Sequence, residues 1–287
     1  MTSEDSVACG EAEEVLTGLL SGPTGPVLVH SDLFRTSGAI RKVTSRHALL
    51  SAHTTLLRHA ASGRSIWMPA FNYDFLRTGS FAPHQDASQV GALTEYFRTD
   101  QASWRTPVPV FSVSGTGHMP AVDSGPRIDP FGSDSIFARL DEQNGSILFY
   151  GAGIESCTFI HYAERVAGGP AYRYDKSFFG TMAGLSSDSA ELIYHVRPRG
   201  RHLDYDWSRL DRELVDHGLL RRSASRRFAV ASIDAAALRA FWCERIAADP
   251  LYLLDEESRA WVEPRLDELG RRFLLADFET GEYGEKS

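Results

Sequence analysis

Residues 146–164 read SILFYGAGIESCTFIHYAE and join a strand, a turn and a helix. The apolar run Ser146–Tyr150 predicts a buried strand, Gly151–Gly153 predict a turn, and the polar residues 156–158 predict a helix start. Small residues at such a turn let a ligand approach the backbone, and free N–H groups at a helix start attract anions. A dinucleotide fingerprint would need a third glycine where this chain has Ser156, so a Rossmann cofactor site is only weakly indicated.

The same alternation of short apolar runs and helical patterns extends along the chain. It predicts strands at residues 27–30, 65–68, 108–113, 190–196 and 227–231, and helices at residues 37–61, 88–98, 135–140, 207–215 and 235–246. We therefore expect an α/β fold, with a central, largely parallel sheet flanked by helices and an α+β C-terminal embellishment. The expected organisation is a helical lead-in at 1–25, a single domain at 26–278 and a frayed tail at 279–287.

Composition places the chain among soluble globular proteins, with 43% hydrophobic and 24% charged residues. Its three cysteines lie far apart, which predicts neither a disulfide framework nor a zinc ribbon and fits a reducing cytoplasm. The N-terminus lacks the pattern of a signal peptide and no apolar run is long enough for a membrane span, so we expect a cytoplasmic protein without a membrane partner. The net charge of -8 argues against a nucleic-acid partner and would suit a cationic small substrate, although an acidic surface is also ordinary in soluble proteins.

A candidate general base lies at the end of the opening segment. His161 and Glu164 are three residues apart and share one face of a helix. A carboxylate beside an imidazole fixes its tautomer and raises its basicity, as in general-base catalysis. On spacing alone, a partly buried structural histidine is the more common interpretation.

Other candidates are weaker. Cys157 at the helix start fits a nucleophile or, more simply, a small apolar filler. Asp204 and Asp206 fit a glycosidase-like carboxylate pair or, more simply, caps of the following helix. No metal site is predicted, because the remaining histidines lack ligand spacing. These scattered histidines are His30, His84, His118, His195 and His202.

Several short motifs follow one another in an order that resembles the aminoglycoside 3-N-acetyltransferase family. The most specific is CTFIHYAE at 157–164, which matches a Thr-x-x-His-x-x-Glu signature at Thr158, His161 and Glu164. The resemblance extends over residues 26–245. The other matching pieces are His30 to Leu33, Met68 to Phe71, Ser88 to Gly91, Arg105 to Gly117, and Phe131-Gly132 with Ser135.

The resemblance implies an acyl-CoA-dependent N-acyltransferase with a fold of its own, distinct from the common acetyltransferase fold. It implies acetyl-CoA or another acyl-CoA as co-substrate, no metal, and His161 as the base, oriented by Glu164 or by a carboxylate around Asp204 and Asp206. Ser112 and the N–H groups of the 114–117 turn would stabilise charge on the thioester oxygen. The expected coenzyme contacts are His30, Ser31, Ser37, Ser112, Ser114, Gly115 and Gly117.

The acceptor is less well defined by the resemblance. Val108 stands where the family has a histidine, and Ala70 and Asn72 replace two threonines. We expect a small-molecule primary amine of an amino sugar, aminoglycoside-like or nucleotide-linked. A His-carboxylate hydrolase, a non-catalytic sugar- or nucleotide-binding protein and a homodimer stay open. The predicted acceptor contacts are Asn72, Tyr73, Asp74, Tyr172, Asp175 and Lys176.

Overall fold

The computed structural model of the chain describes residues 3–40, 43, 45–183, 189–201, 203–223, 225 and 228–279. Within these residues the helices are α1 (Ser3–Leu19), α2 (Arg46–Ala60), α3 (Phe75–Thr78), α4 (Ala92–Asp100), α5 (Ile136–Glu142), α6 (Phe159–Val166), α7 (Trp207–Asp216), α8 (Ala235–Ala248), α9 (Glu256–Leu269) and α10 (Leu275–Glu279). The strands are β1 (Val27–Ser31), β2 (Ile66–Pro69), β3 (Ser80–Phe81), β4 (Trp104–Arg105), β5 (Val113–Gly115), β6 (Arg127–Ile128), β7 (Ser146–Tyr150), β8 (Tyr174–Met182), β9 (Ser189–Val196), β10 (Arg221–Arg222) and β11 (Val230–Asp234).

The main sheet has the strand order β10-β11-β7-β1-β2-β5-β4. Its centre is parallel: β1 lies between β7 and β2, with Leu28 opposite both Ile147 and Trp67. Antiparallel strands extend the sheet on both sides. The α/β prediction is confirmed, and the predicted parallel pairing is found at the centre, where β1, β2 and β7 are buried apolar strands.

Helices cover both faces of this sheet. Leu28 of β1 packs with the residues of α5, α6 and α8, whereas Val27 and Val29 pack with those of α1, α2 and α4. Alternate residues of β1 therefore belong to two separate hydrophobic cores, one on each face of the sheet. The fold has three layers: helices, the main sheet, and helices.

A second sheet, β3-β8-β9-β6, is built around the antiparallel pair β8–β9. In this pair Asp175 lies opposite His195, and Lys176 lies opposite Tyr194. Residues 172 and 173 lead into the nine-residue strand β8, for which the sequence predicted no strand. Pairing along the whole of β9 overrides the weak local pattern of this segment.

The predicted strand at residues 108–113 is wrong in position. Pro107 and Pro109 lack the N–H groups that a ladder needs, and Val110 has a φ of 64°, so the chain pairs regularly only from Val113 onward. The buried Val108 and Val110 instead fill a small core beside the second sheet.

Two helix starts also differ from the predictions. The helix predicted over residues 88–98 begins at Ala92, after Gly91, and Ser88 does not cap it. The helix predicted over residues 37–61 divides into a short 3-10 turn and α2, which Ser45 caps.

Some predictions lie outside the described residues: His202 and all of the predicted frayed tail except Glu279. The division into residues 1–25 and 26–278 stays a prediction. Among the helices of the described residues, none combines the length and the apolar character that a membrane crossing requires.

Gly115 gives a test of packing in the main sheet. A Cβ at this position would overlap the indole of Trp104, which stands edge-on to Trp67 at 5.8 Å between ring centroids. We expect Gly115→Ala to lower the free energy of unfolding by about 1–3 kcal/mol through overpacking, measured by urea denaturation. Gly18→Ala is the matched control, because nothing lies within 4 Å of a Cβ at that helical position. Equal stability of the two variants would contradict this packing.

Candidate active site

The site begins where β7 turns into α6. Gly151 has a φ of 81°, and a Cβ there would overlap the carbonyl oxygen of Asp32, so only glycine allows the two loops to meet. A 3-10 turn follows, and α6 then carries His161 and Glu164 near the carboxyl ends of the parallel strands. Ligands of open α/β sheets commonly bind at this edge.

The carboxylate of Glu164 is the centre of the site and is 1% exposed. Its Oε2 atom accepts hydrogen bonds from Nδ1 of His161 at 2.8 Å and from Nε2 of His195 at 2.9 Å. Its Oε1 atom accepts from the hydroxyls of Tyr172 at 2.7 Å and Tyr205 at 2.8 Å. The buried carboxylate therefore has hydrogen-bond donors at both oxygens, as a buried charge requires.

The charge of Glu164 is balanced by a buried arginine. The Nε atom of Arg173 lies 3.9 Å from Oε1 of Glu164, and one of its terminal nitrogens donates to the Tyr205 hydroxyl at 2.8 Å. Burial would raise the pKa of Glu164, but the Arg173 charge and the hydrogen bonds from His161 and His195 outweigh it and hold the pKa well below the usual range. Glu164 is therefore an anion at neutral pH.

The two histidines on Glu164 are both neutral at pH 7 but differ in exposure. Burial lowers the pKa of His195 to about 4, and it lowers the pKa of His161 although the hydrogen bond to Glu164 opposes this. Each imidazole donates its single N–H to Glu164, which leaves Nε2 of His161 as a basic lone pair. The His161 side chain is 23% exposed and that of His195 is 2% exposed, so His161 is the one that a substrate can reach.

Ser112 lies at the same edge of the sheet, but its hydroxyl is already bonded. It accepts from Nε of Arg105 at 3.0 Å and donates to the carbonyl of Ala70 at 2.8 Å, and the residue is fully buried. The neighbouring Phe111 connects it to the site through Phe131, whose ring lies 5.1 Å from that of His161.

The structure does not bring Ser114, Gly115 and Gly117 to His161. Ser114 and Gly115 pair with β2 and β4, and the turn that contains Gly117 bonds to the carbonyl of Ile66, the first residue of β2. These residues therefore lie toward the amino end of β2, away from the sheet edge at which α6 begins, and their contact with the coenzyme stays a prediction. The pattern of glycine and serine after an apolar run did not reveal that the strand runs antiparallel.

His30 and Ser31 lie at the end of β1, beside the glycine turn. The His30 ring stacks on Phe149 at 5.8 Å, and burial lowers its pKa to about 4. Ser31 is half-buried and forms a bridge with Gly151. Ser37 lies in the 3-10 turn that follows, and its side chain is outside the described part of the chain.

Asp206 does not orient His161. Its side chain caps α7 by accepting from the N–H of Arg209, and it also pairs with the Arg209 guanidinium at 3.2 Å. Glu164, in contrast, contacts the imidazole directly.

The predicted acceptor contacts fall into three places. Tyr172 belongs to the Glu164 cluster, and Asn72 is buried and bonds to Ala87 and Asp74 within its own loop. Tyr73 is 45% exposed. The two charged residues of β8 are ion-paired, Asp175 with Arg165 and Lys176 with Glu279.

Three members of the cluster were missed as site residues: His195, Arg173 and Tyr205. They come from β9, the approach to β8, and the segment before α7, and only the tertiary fold brings them to α6. No local spacing connects them to Glu164, although the alternating pattern of residues 190–196 correctly indicated the strand that carries His195.

A metal ion is an alternative occupant of this cluster. Donor atoms of His161, Glu164 and His195 lie within 4.8 Å of one another, the composition of a two-histidine, one-carboxylate site. Binding a cation there would break both imidazole hydrogen bonds to Glu164 and would place it near the Arg173 charge. The arrangement therefore favours a hydrogen-bonded cluster.

Cys157 precedes α6 and is 1% exposed. Burial raises the pKa of its thiol to about 12, so the thiol is protonated at neutral pH and is a poor nucleophile. The apolar-filler interpretation of Cys157 is the one that this environment favours.

Comparison with known proteins relates the chain to one family. Residues 28–246 match the family described as aminoglycoside 3-N-acetyltransferase. The aminoglycoside N(3)-acetyltransferase VIII of Streptomyces fradiae is 28% identical over 167 residues, which make up 56% of this chain and 54% of that protein. The chain thus aligns with about half the length of this relative.

Two solved structures share the fold. One is AAC-IIIb in a binary complex with CoASH, with 20% identity, a TM-score of 0.67, and coverage of 82% of this chain and 94% of that one. The other is a histidine-to-alanine mutant of aminoglycoside acetyltransferase AAC(3)-IVa in complex with apramycin, with 21% identity, a TM-score of 0.65, and coverage of 85% and 93%.

The burial of Cys157 can be tested by alkylation. We expect iodoacetamide at pH 8 to leave Cys157 unmodified in the native protein and to modify it in denaturant, because a thiol with a pKa of about 12 forms little thiolate. Peptide mass spectrometry would follow the modification, and Cys157→Ala would confirm the peptide assignment. Rapid modification of the folded protein would contradict the buried, protonated thiol.

Proposed function

Because this chain belongs to the aminoglycoside 3-N-acetyltransferase family, we propose that it transfers an acetyl or other short acyl group from coenzyme A to a primary amine of an amino sugar, with His161 as general base. The observation that carries the proposal is the neutral, partly exposed imidazole of His161, bonded to the buried anion of Glu164. A base needs both features, since it must be unprotonated at working pH and must reach its substrate.

The transfer requires one proton to move as the new bond forms. The acceptor binds as a neutral amine, its nitrogen attacks the thioester carbonyl, and Nε2 of His161 takes the nitrogen's proton. The C–N bond forms, the C–S bond breaks, and the departing thiolate takes the proton from the imidazolium to give free coenzyme A. Glu164 stabilises the transient imidazolium, and general-base help of this kind is typically worth ~10²–10⁴ in rate.

The environment of Cys157 supports direct transfer without an acyl-enzyme. A covalent intermediate would need a reactive nucleophile, and burial keeps the Cys157 thiol protonated and enclosed. The hydroxyl of Ser112 is likewise bonded on both sides and buried. Ser112 then acts by holding the loop at the end of β2 through Arg105, rather than by contacting the thioester.

We place the coenzyme phosphates beside the glycine turn. A pocket of about 260 Å³ adjoins Ala152 and Gly153, and Arg35 and Arg222 line it. The small side chain of Ala152 leaves the backbone beside it accessible to phosphate oxygens, and arginine is well suited to binding them. Ser31 borders the same turn, in agreement with its predicted coenzyme contact. The relative solved with CoASH supports this co-substrate class.

The acceptor is proposed as an amino sugar, either aminoglycoside-like or nucleotide-linked. The name of the Streptomyces fradiae relative and the apramycin complex support the aminoglycoside class.

The activity is tested by mixing the protein with acetyl-CoA and a panel of amines and measuring thiol release. The absence of release with every amine, together with no thermal stabilisation by coenzyme A, would overturn the proposal.

Replacement of the base gives the direct test of mechanism. We expect His161→Ala to lower the rate of transfer by about 10²–10⁴-fold, the usual contribution of a general base, while coenzyme A still raises the melting temperature. His84→Ala is the matched control, because His84 is an exposed histidine outside the cluster. Near-normal thiol release by His161→Ala would exclude His161 as the base.

His195 is proposed as a positioning residue that acts through Glu164. In the wild type, the limb of kcat/KM that reports His161 should lie below about pH 6.5, because the pKa of His161 is lowered from its ordinary value. Protonation of the acceptor amine gives a separate limb at higher pH, which substitutions in the protein leave in place. In His195→Leu, Glu164 loses a donor and stabilises the His161 imidazolium more strongly, so the acid limb of His161 should move to higher pH and kcat should fall.

The control for His195 is the conservative variant His195→Gln, whose amide can still donate to Glu164. We expect it to restore the wild-type pH profile, with the acceptor KM similar in all three proteins. A fall in kcat without any displacement of the acid limb would mean that His195 has only a structural role.

A further inference from the structure

A cavity of about 490 Å³ lies next to the Glu164 cluster, beside the C-terminal segment 272–279. Two members of the cluster, Arg173 and His195, form part of its wall. Among the described residues of the cluster, His161 and Glu164 do not line it. The cavity therefore contacts the cluster through Arg173 and His195.

Each of these two residues has an unpartnered nitrogen. Nδ1 of His195 and Nε of Arg173 are buried and have no hydrogen-bond partner among the described residues, which are 4% and 7% exposed at these positions. Since Nε2 of His195 donates to Glu164, Nδ1 carries a lone pair and accepts. Nε of Arg173 donates, and at 3.9 Å from Glu164 it is too far away for a hydrogen bond. The wall thus offers one acceptor and one donor, and each costs free energy while it is unpaired.

The acidic groups of the wall already have partners. Asp175 lies 2.9 Å from Arg165, and Glu279 accepts from the Tyr174 hydroxyl at 2.7 Å. A cationic ligand would therefore have to break an existing ion pair or hydrogen bond to gain a carboxylate.

The basic groups of the wall favour an anion only weakly. The charge of Arg173 is matched by Glu164. Arg272 donates to the carbonyl of Pro170 at 3.2 Å and is exposed, where salt screens its charge. What the wall lacks is a neutral group that donates one hydrogen bond and accepts another.

The C-terminal side of the cavity is apolar and partly uncovered. It is formed by Phe273, Leu274 and Leu275, and the two leucines are 45% and 42% exposed. Water at the polar end would satisfy the two nitrogens but would leave this apolar surface uncovered. An apolar ring would bury it, and small-molecule sites commonly combine such walls with a few polar groups.

We infer that this cavity binds a neutral small molecule with an apolar ring that carries a hydroxyl or a carboxamide. This group accepts from Nε of Arg173 and donates to Nδ1 of His195, and the ring packs against Leu274 and Leu275. The site needs neither coenzyme nor transfer, so it goes beyond the proposed function. Its occupant also lies close to the proposed base in bonding terms, because His195 and His161 donate to the same oxygen of Glu164.

Probes with one ring and different head groups test the chemistry. Benzyl alcohol and benzamide donate and accept, whereas anisole and benzoate have no hydrogen to donate at neutral pH. By ligand-observed NMR, we expect benzyl alcohol or benzamide to bind roughly 10-fold more tightly than anisole and benzoate, as one additional hydrogen bond would give. The tighter of the two distinguishes a hydroxyl from a carboxamide ligand. Equal affinities for all four probes, or a cavity that holds water only, would overturn the inference.

Variants of the wall locate the probe. In His195→Leu the acceptor is lost, and we expect benzyl alcohol to bind no more tightly than anisole. Leu274→Ala changes an exposed residue and should weaken both probes by about 4-fold, the contribution of one buried methylene. Leu269→Ala is the matched control, because Leu269 is a 36% exposed leucine at the end of α9 and outside the cavity wall. Equal affinities in Leu274→Ala and Leu269→Ala would overturn the inference even if His195→Leu did not fold.

A competition measurement separates this cavity from the transfer site. We expect benzyl alcohol to bind equally well with saturating coenzyme A and in His161→Ala. Displacement by coenzyme A, or loss of binding in His161→Ala, would place the probe at the transfer site and overturn the inference. If no amine releases thiol, the proposed function fails while these binding results stand.

Discussion

The negative charge of Glu164, enclosed among aromatic rings, constrains how the two sheets pack together. A buried carboxylate is tolerated only when donors surround it, and removing one partner of such a buried pair typically costs ~3–5 kcal/mol. Its donors arrive from α6, from β9 and from the segments before β8 and α7. Because these elements are distant in sequence, satisfying one charge requires that the main sheet and the β8–β9 pair dock in a single arrangement. The residues of the site therefore also fix how the two sheets pack against each other.

The packing around Glu164 also gives its two histidine partners different solvent exposure. Both are neutral and both donate to the same oxygen, yet only His161 lies where solvent reaches it. His195 has an unpartnered buried Nδ1 atom within the described structure, which is a cost that a purely structural donor could avoid. In the proposed mechanism, His195 fixes the orientation of Glu164 on the side away from the acceptor, so that His161 can gain and lose a proton without the carboxylate turning. Preorganised catalysis requires that the carboxylate of Glu164 keeps a fixed position while His161 takes up and releases the proton.

The sequence predicted those features that depend on neighbouring residues. The strand at 146–150, the helix near 135–140 and the shared helix face of His161 and Glu164 follow from local sequence patterns, and the structure has all three. The strand at 108–113 was misplaced because prolines interrupt an apolar run whose burial has another cause. Arg173, His195 and Tyr205 could not be linked to Glu164, since their proximity arises from sheet docking, which no spacing rule describes. The position of the 114–117 turn at the amino end of β2 was missed for a related reason, because strand direction is a property of the sheet and not of an apolar run.

The net charge of the whole chain also differs from the charge close to the site. A total of -8 suggested a cationic substrate, but a substrate responds to the field at the place where it binds, and that field depends on which charges lie within about a Debye length, ~8–10 Å. Much of the acidic excess lies elsewhere, as on α9, where Glu256 and Glu257 begin an exposed helix. At His161 the total charge is a poor guide, because the carboxylate of Glu164 beside it is already matched by Arg173.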